Sequence, residues 1–106
     1  MNPPFFSCIC LTYGRTQHLE EAIACFTAQT YAGPSELIVF NTCPQQKLEL
    51  PEADRRDNIR IFNCDKRPTS VGASRNLAIA LAAGTHIATW DDDDLYLPNH
   101  LDNFAK

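Results

Sequence analysis

No stretch of the chain is long and apolar enough to cross a bilayer. Its longest wholly apolar run, Leu77 to Ala83, falls far short of the roughly 20 residues a spanning helix needs. No basic region precedes the apolar stretch near the N-terminus, as a secretory leader would require. The expectation is a cytoplasmic protein, with at most peripheral contact at the inner membrane face. An excess of positive charge is also missing: nine Lys and Arg stand against thirteen Asp and Glu, for a formal net charge of -4. Nucleic acid is therefore excluded as the main partner, since phosphate backbones are bound by clustered cations. Five cysteines occur without any C-x-x-C pair, so neither a disulfide framework nor a zinc site is signalled. They read as buried free thiols, with Cys8 and Cys10 facing the same way on a strand. No repeat, low-complexity segment or linker interrupts the chain.

What is present fits one small domain over 1–106. The 44% hydrophobic and 21% charged residues match an ordinary packed fold, and 106 residues suffice for a single core. Phe6 to Leu11 is a short apolar run closed by Gly14 and reads as a first strand. From Thr16, as N-cap, Leu19, Ile23 and Phe26 recur at helical spacing. Glu36 to Phe40 is nearly continuous in apolar residues, as in a strand covered on both faces. A polar stretch from Asn41 to Asn58 reads as loop with at most a turn of helix, and Ile59 to Phe62 as a third strand.

Ser70 to Ala83 predicts a second helix with Ala73, Leu77, Ala80 and Leu81 on one face. Gly72 and Ala73 leave room for another backbone at its start, and Gly84 stops it. His86 to Trp90 is a fourth strand. Pro98 opens a last helix with Leu97, Leu101 and Phe104 on one face, an apolar surface suited to a partner or a second copy. This order predicts an α/β fold: three layers, a mostly parallel sheet of about four strands, helices on both faces. Ligands in such sheets bind at the carboxyl ends of the strands, here Thr12 to Arg15, Asn41 to Cys43 and Asp91 to Asp94.

The fourth strand runs into Asp91, Asp92, Asp93 and Asp94, whose adjacent charges need compensation by water or by a cation. Carboxylates at i and i+2 at a strand end point to one side, so Asp91 and Asp93 can converge on one hard cation. Solvated acids favouring the N-terminus of the next helix are the plainer alternative. Leu95 and Tyr96 stand where an EF-hand needs an oxygen ligand and a glycine, which excludes that loop. His18, His86 and His100 have no cysteine or serine partner at a suggestive place and read as structural or solvated.

The segments CICLTYGR, AIACFTAQTYAGPSELIVFN and SVGASRNLAIALAAGTHIATWDDDDLYLP resemble, in order and spacing, the N-terminal half of the inverting family 2 glycosyltransferases. The resemblance covers nearly the whole chain and implies a Rossmann-like nucleotide-sugar-binding half of the GT-A type. It further implies transfer of a sugar from a nucleoside diphosphate, UDP foremost, to a carbohydrate or other hydroxyl acceptor with Mn2+ or Mg2+. Carried over position by position, Thr12 and Tyr13 would contact the base and Arg75, beside Asn76, the diphosphate or base. Asp93 would ligate the metal, with Asp91 as a second ligand. Asp91 and Asp92 would reach ribose, donor sugar or metal-bound water, and Asp94 would orient its neighbours or cap the next helix. Where the family has two aspartates reaching base and ribose, this chain has Asn41 and Thr42, which can hydrogen-bond but carry no charge. The family's general base and acceptor site lie beyond the position of Lys106, so the chain is expected to be the donor half. A noncatalytic module on the same fold is the alternative. A phosphohydrolase is disfavoured because Leu11 and Thr12 stand where its key aspartate belongs.

Overall fold

The computed structural model describes residues 3–50, 52, 56–64, 66, 70–90 and 96–105. Four strands, β1 (Phe6–Thr12), β2 (Ser35–Asn41), β3 (Ile59–Asn63) and β4 (His86–Thr89), form one sheet in the order β3-β2-β1-β4. Every pairing is parallel. Helix α1 (Thr16–Thr27) links β1 to β2, α2 (Val71–Ala80) links β3 to β4, and α3 (His100–Ala105) ends the described chain. The α/β class, the parallel sheet and the helices on both faces are as the sequence predicts. None of the described helices is long and apolar enough to cross a membrane.

Side chains alternate across each strand, so the two faces of the sheet bury different sets. Cys8, Cys10, Leu37, Val39 and Ala88 pack against Leu19, Ala22, Ile23 and Phe26 of α1, together with Trp90 and Leu101. Ile9, Ile38 and Phe40 face the other way and pack against Ala78 of α2. Burial, with the Glu36 carboxylate adding to it, pushes the Cys8 thiol up to about 12. That thiol stays protonated at neutral pH and serves as core packing, not as a nucleophile.

Four local expectations are corrected. The N-cap of α1 is Arg15, not Thr16, and it makes no side-chain cap bond. Helix α2 does not bury Leu77, which is 52% exposed; it buries Ser74 and Ala78. Their short side chains let the helix sit close on the sheet, and an all-apolar run gave periodicity no face to choose. Nothing crowds Gly72, since the nearest atom to an added Cβ would be Ser70 Oγ at 3.8 Å. Leu97 is exposed and precedes α3, whereas Leu101 is buried in this chain's own core, so the two share no exposed face; the side chain of Phe104 lies outside the described residues.

The amino ends of the strands are closed by a buried carboxylate. Glu36 accepts hydrogen bonds from Ser7 Oγ at 2.6 Å, Ala83 N at 2.7 Å and Arg60 at 2.7 Å. Burial drives its carboxyl toward a higher pKa, but the bonds from Ser7, Ala83 and Arg60, with the Arg60 charge, outweigh it and hold the pKa below the ordinary 4.5. A depressed carboxylate pKa contributes stability that is present above the unfolded value and lost as pH falls through the folded one. Urea midpoints should therefore drop as the pH is lowered below 4.5. In Glu36→Gln that part of the acid loss should be absent, with stability at neutral pH reduced by about 1–3 kcal/mol.

Candidate functional site at the carboxyl rim of the sheet

From β1 the chain moves through α1 to β2 and β3 on one flank, then through α2 to β4 on the other. Because α1 and α2 cover opposite faces, the connections diverge above the carboxyl ends of β1 and β4. Such a switch in strand order opens the crevice where ligands bind in parallel sheets. The residue after β4, Trp90, donates its amide to Ile9 O at 2.8 Å, extending the ladder toward this rim. Asp91, Asp92, Asp93 and Asp94 follow Trp90 in sequence but lie outside the described residues.

The register brings Thr12, Asn41 and Asn63 side by side at the ends of β1, β2 and β3. Thr12 is buried, and its carbonyl accepts from both the amide and the hydroxyl of Thr42, at 2.9 and 3.1 Å. Tyr13, at 42% exposure, presents its ring at the rim. Gly14 then turns the chain with φ of 63°, a conformation that L side chains rarely adopt. A Cβ there would also stand 2.9 Å from Gln46 Cβ. Gly14→Ala should cost about 1–2 kcal/mol by strain and overpacking, read as a shift in the urea midpoint.

Asn41 is fully buried and saturated within the protein. Its Oδ1 accepts from Gly14 N at 2.9 Å and Cys43 N at 3.1 Å, and its Nδ2 donates to Gln46 O at 2.6 Å and Asn63 Oδ1 at 2.9 Å. Asn63 in turn pairs with both backbone groups of Leu48, at 2.9 and 3.0 Å. Sequence reasoning ended β3 at Phe62 and missed Asn63. Its signal is the polar residue that closes β3 in register with Asn41.

Arg75 is exposed on α2 and lines a depression with Ile9, Leu11, Ile79, Ile87 and Thr89. It thus sits between α2 and the β1–β4 pair, while Thr12, Tyr13, Asn41 and Thr42 gather on the β1–β2 side of the rim. Trp90 was also missed, although it is the one tryptophan and directly precedes the acids. It is fully buried, donates Nε1–H to Ala22 O at 3.1 Å and stacks on Tyr96, ring centroids 4.2 Å apart. The residues flanking the acidic run on either side are thereby fixed to each other and to α1.

The family model described as Glycosyl transferase family 2 matches residues 7–106. The chain belongs to glycosyl transferase family 2. It is 33% identical over its whole length to the uncharacterized glycosyltransferase MJ1057 of Methanocaldococcus jannaschii, covering 38% of that protein. Over 94% of its length it is 30% identical to the uncharacterized glycosyltransferase YwdF of Bacillus subtilis, covering 37% of that one. It thus spans little more than a third of the length of these relatives. In three dimensions it is similar to the crystal structure of S. aureus TarS 1-349, with a TM-score of 0.76 over 99% of this chain and 31% of that one, at 21% identity. That likeness is one of fold, and the fold is the N-terminal GT-A half of family 2 glycosyltransferases.

Proposed function

We propose that the chain is the donor-binding half of an inverting glycosyltransferase, holding a nucleoside diphosphate sugar, UDP-linked, at the rim above β1 and β4. The observation that carries this reading is the strand order, whose switch between β1 and β4 falls where the half-exposed Tyr13 follows β1 and the buried Trp90 leads into the acidic run. Tyr13, just past the end of β1, would stack on the uracil, and Arg75, on α2 beside the β1–β4 pair, would meet the diphosphate. Thr12, buried and next to Tyr13 in sequence, would back the base wall.

Asp93 and Asp91 would hold Mn2+ or Mg2+, and Asp92 would reach ribose or donor sugar. An all-carboxylate set suits a hard cation. Among the described residues, which do not include Asp91 to Asp94, no group of three or more His, Cys, Asp or Glu comes together as a metal site. When bound, the cation would offset charge developing on the nucleoside diphosphate as it leaves. An inverting transfer also needs a base to take the acceptor's proton. That base and the acceptor site would lie in a segment such as the relatives carry outside the matched third.

Calorimetric titration with UDP, with and without manganese, tests this reading. Binding should require the metal, and Asp93→Ala should weaken it at least about tenfold, equivalent to about 1.4 kcal/mol. Binding indifferent both to manganese and to Asp93→Ala would overturn it.

A further inference from the structure

We propose that Asn41 is a positioning residue and not a ligand of the donor. Its side chain fixes the turn that carries Tyr13, and this requires an amide where the family resemblance leads one to expect a carboxylate. The proposal rests on the donor-site reading above.

An amide offers two N–H donors and one oxygen with two lone pairs. At Asn41 all four are used: Gly14 N and Cys43 N on Oδ1, Gln46 O and Asn63 Oδ1 on Nδ2. With the side chain fully buried, nothing of it remains to reach a base or a ribose. Its partners instead span both walls of the rim. Gly14 is the neighbour of Tyr13 and packs on Gln46, so the two loops are set against each other through this one side chain.

An aspartate could accept the same two amides. Its second oxygen, however, would face Gln46 O and Asn63 Oδ1 where Nδ2 now sits at 2.6 and 2.9 Å, setting acceptor against acceptor. Asn63 cannot relieve this by turning its amide over, because its oxygen takes Leu48 N and its nitrogen gives to Leu48 O. A carboxylate here must push the segment around Gln46 away and release the Tyr13 turn, unless it is protonated. The neutral acid restores one donor toward Gln46 O, so the fault is reversible by acid.

The test compares wild type with Asn41→Asp between about pH 8 and about pH 5.5, a range in which a buried aspartate with a raised pKa takes up its proton. UDP affinity is measured in the presence of manganese, and the amide resonances of Tyr13 and Gly14 are followed over the same pH range in separate metal-free samples. The expected result at the upper pH is UDP affinity about tenfold below wild type, with both resonances displaced. The ratio to wild type and the resonances should return together on acidification. Unchanged resonances, with affinity equal to wild type or tighter at the upper pH, would mark position 41 as a ligand position and overturn the proposal. If wild type takes up no UDP, the donor reading fails, while the resonances and their pH dependence still decide what Asn41 does. Should Asn41→Asp not fold, Asn41→Ser serves: faster hydrogen exchange at Gly14 and Cys43 than in wild type supports the proposal, and equal exchange overturns it.

Discussion

Trp90→Ala should lower the stability of the chain by about 3–5 kcal/mol, the range for emptying a large aromatic site in a core. The indole is fully buried, packs edge-on against Phe26 with centroids 6.1 Å apart, and stacks on Tyr96 at 4.2 Å. Its N–H also ties the end of β4 to α1 through Ala22 O at 3.1 Å. Truncation removes the shared contact of the end of β4, α1 and the segment at Tyr96. Trp90→Phe should cost less, about 1–2 kcal/mol, because it keeps a ring against Tyr96 and loses the hydrogen bond and part of the volume. Urea unfolding followed by circular dichroism measures both, since wild-type fluorescence comes from this single tryptophan. A loss below about 1 kcal/mol for alanine would contradict the anchoring role. Because the acidic run follows Trp90 directly, the variants should also lose manganese-dependent UDP binding in the same order.

Gly84→Ala should be nearly as damaging, at about 3 kcal/mol, although it adds a single methyl group. That methyl would lie 2.4 Å from Ser7 Oγ, 2.6 Å from Phe5 O and 2.9 Å from Ser7 N. Two of the three are backbone atoms, of Phe5 just before β1 and of Ser7 within it, which cannot give way without disturbing the start of the sheet. Gly84 is therefore needed for close approach, not for its φ, since Gly14 is the one described glycine with positive φ. Forcing the strands apart also strains the bond from Gly84 N to Ser7 Oγ at 2.8 Å and, through Ser7, the Glu36 carboxylate. The variant should accordingly show a weakened dependence of its urea midpoint on acid. A change within about 0.5 kcal/mol would show that β4 can shift freely against β1.

How far the sequence reveals this molecule depends on what kind of signal each part carries. The run Leu37 to Phe40 announces a strand covered on both faces, and Leu19, Ile23 and Phe26 mark the buried stripe of α1. The first is a continuous apolar run and the second a helical period, and both were legible. Helix α2 was legible as a helix but not in its orientation, because the stretch from Leu77 to Ala83 is apolar all round and only packing selects Ala78. At the rim, the residue types were legible at Thr12, Tyr13, Asn41 and Thr42, yet their use was not. The sequence shows that Asn41 can bond a ligand; the fold shows that Gly14, Cys43, Gln46 and Asn63 already occupy it. Such long-range pairings, 22 residues apart for Asn41 and Asn63, leave no local pattern to read. The acidic run was legible by composition alone, and its reading as a metal site lies outside the described residues.

The most direct measurement of the central claim is paramagnetic broadening of amide resonances when manganese is added to the chain together with UDP. The account predicts broadening centred on Tyr13, Gly14 and Trp90, with Glu36 and Ala83 at the opposite rim of the sheet left sharp. Broadening centred on Glu36 and Ala83, or the same pattern with and without UDP, would contradict it.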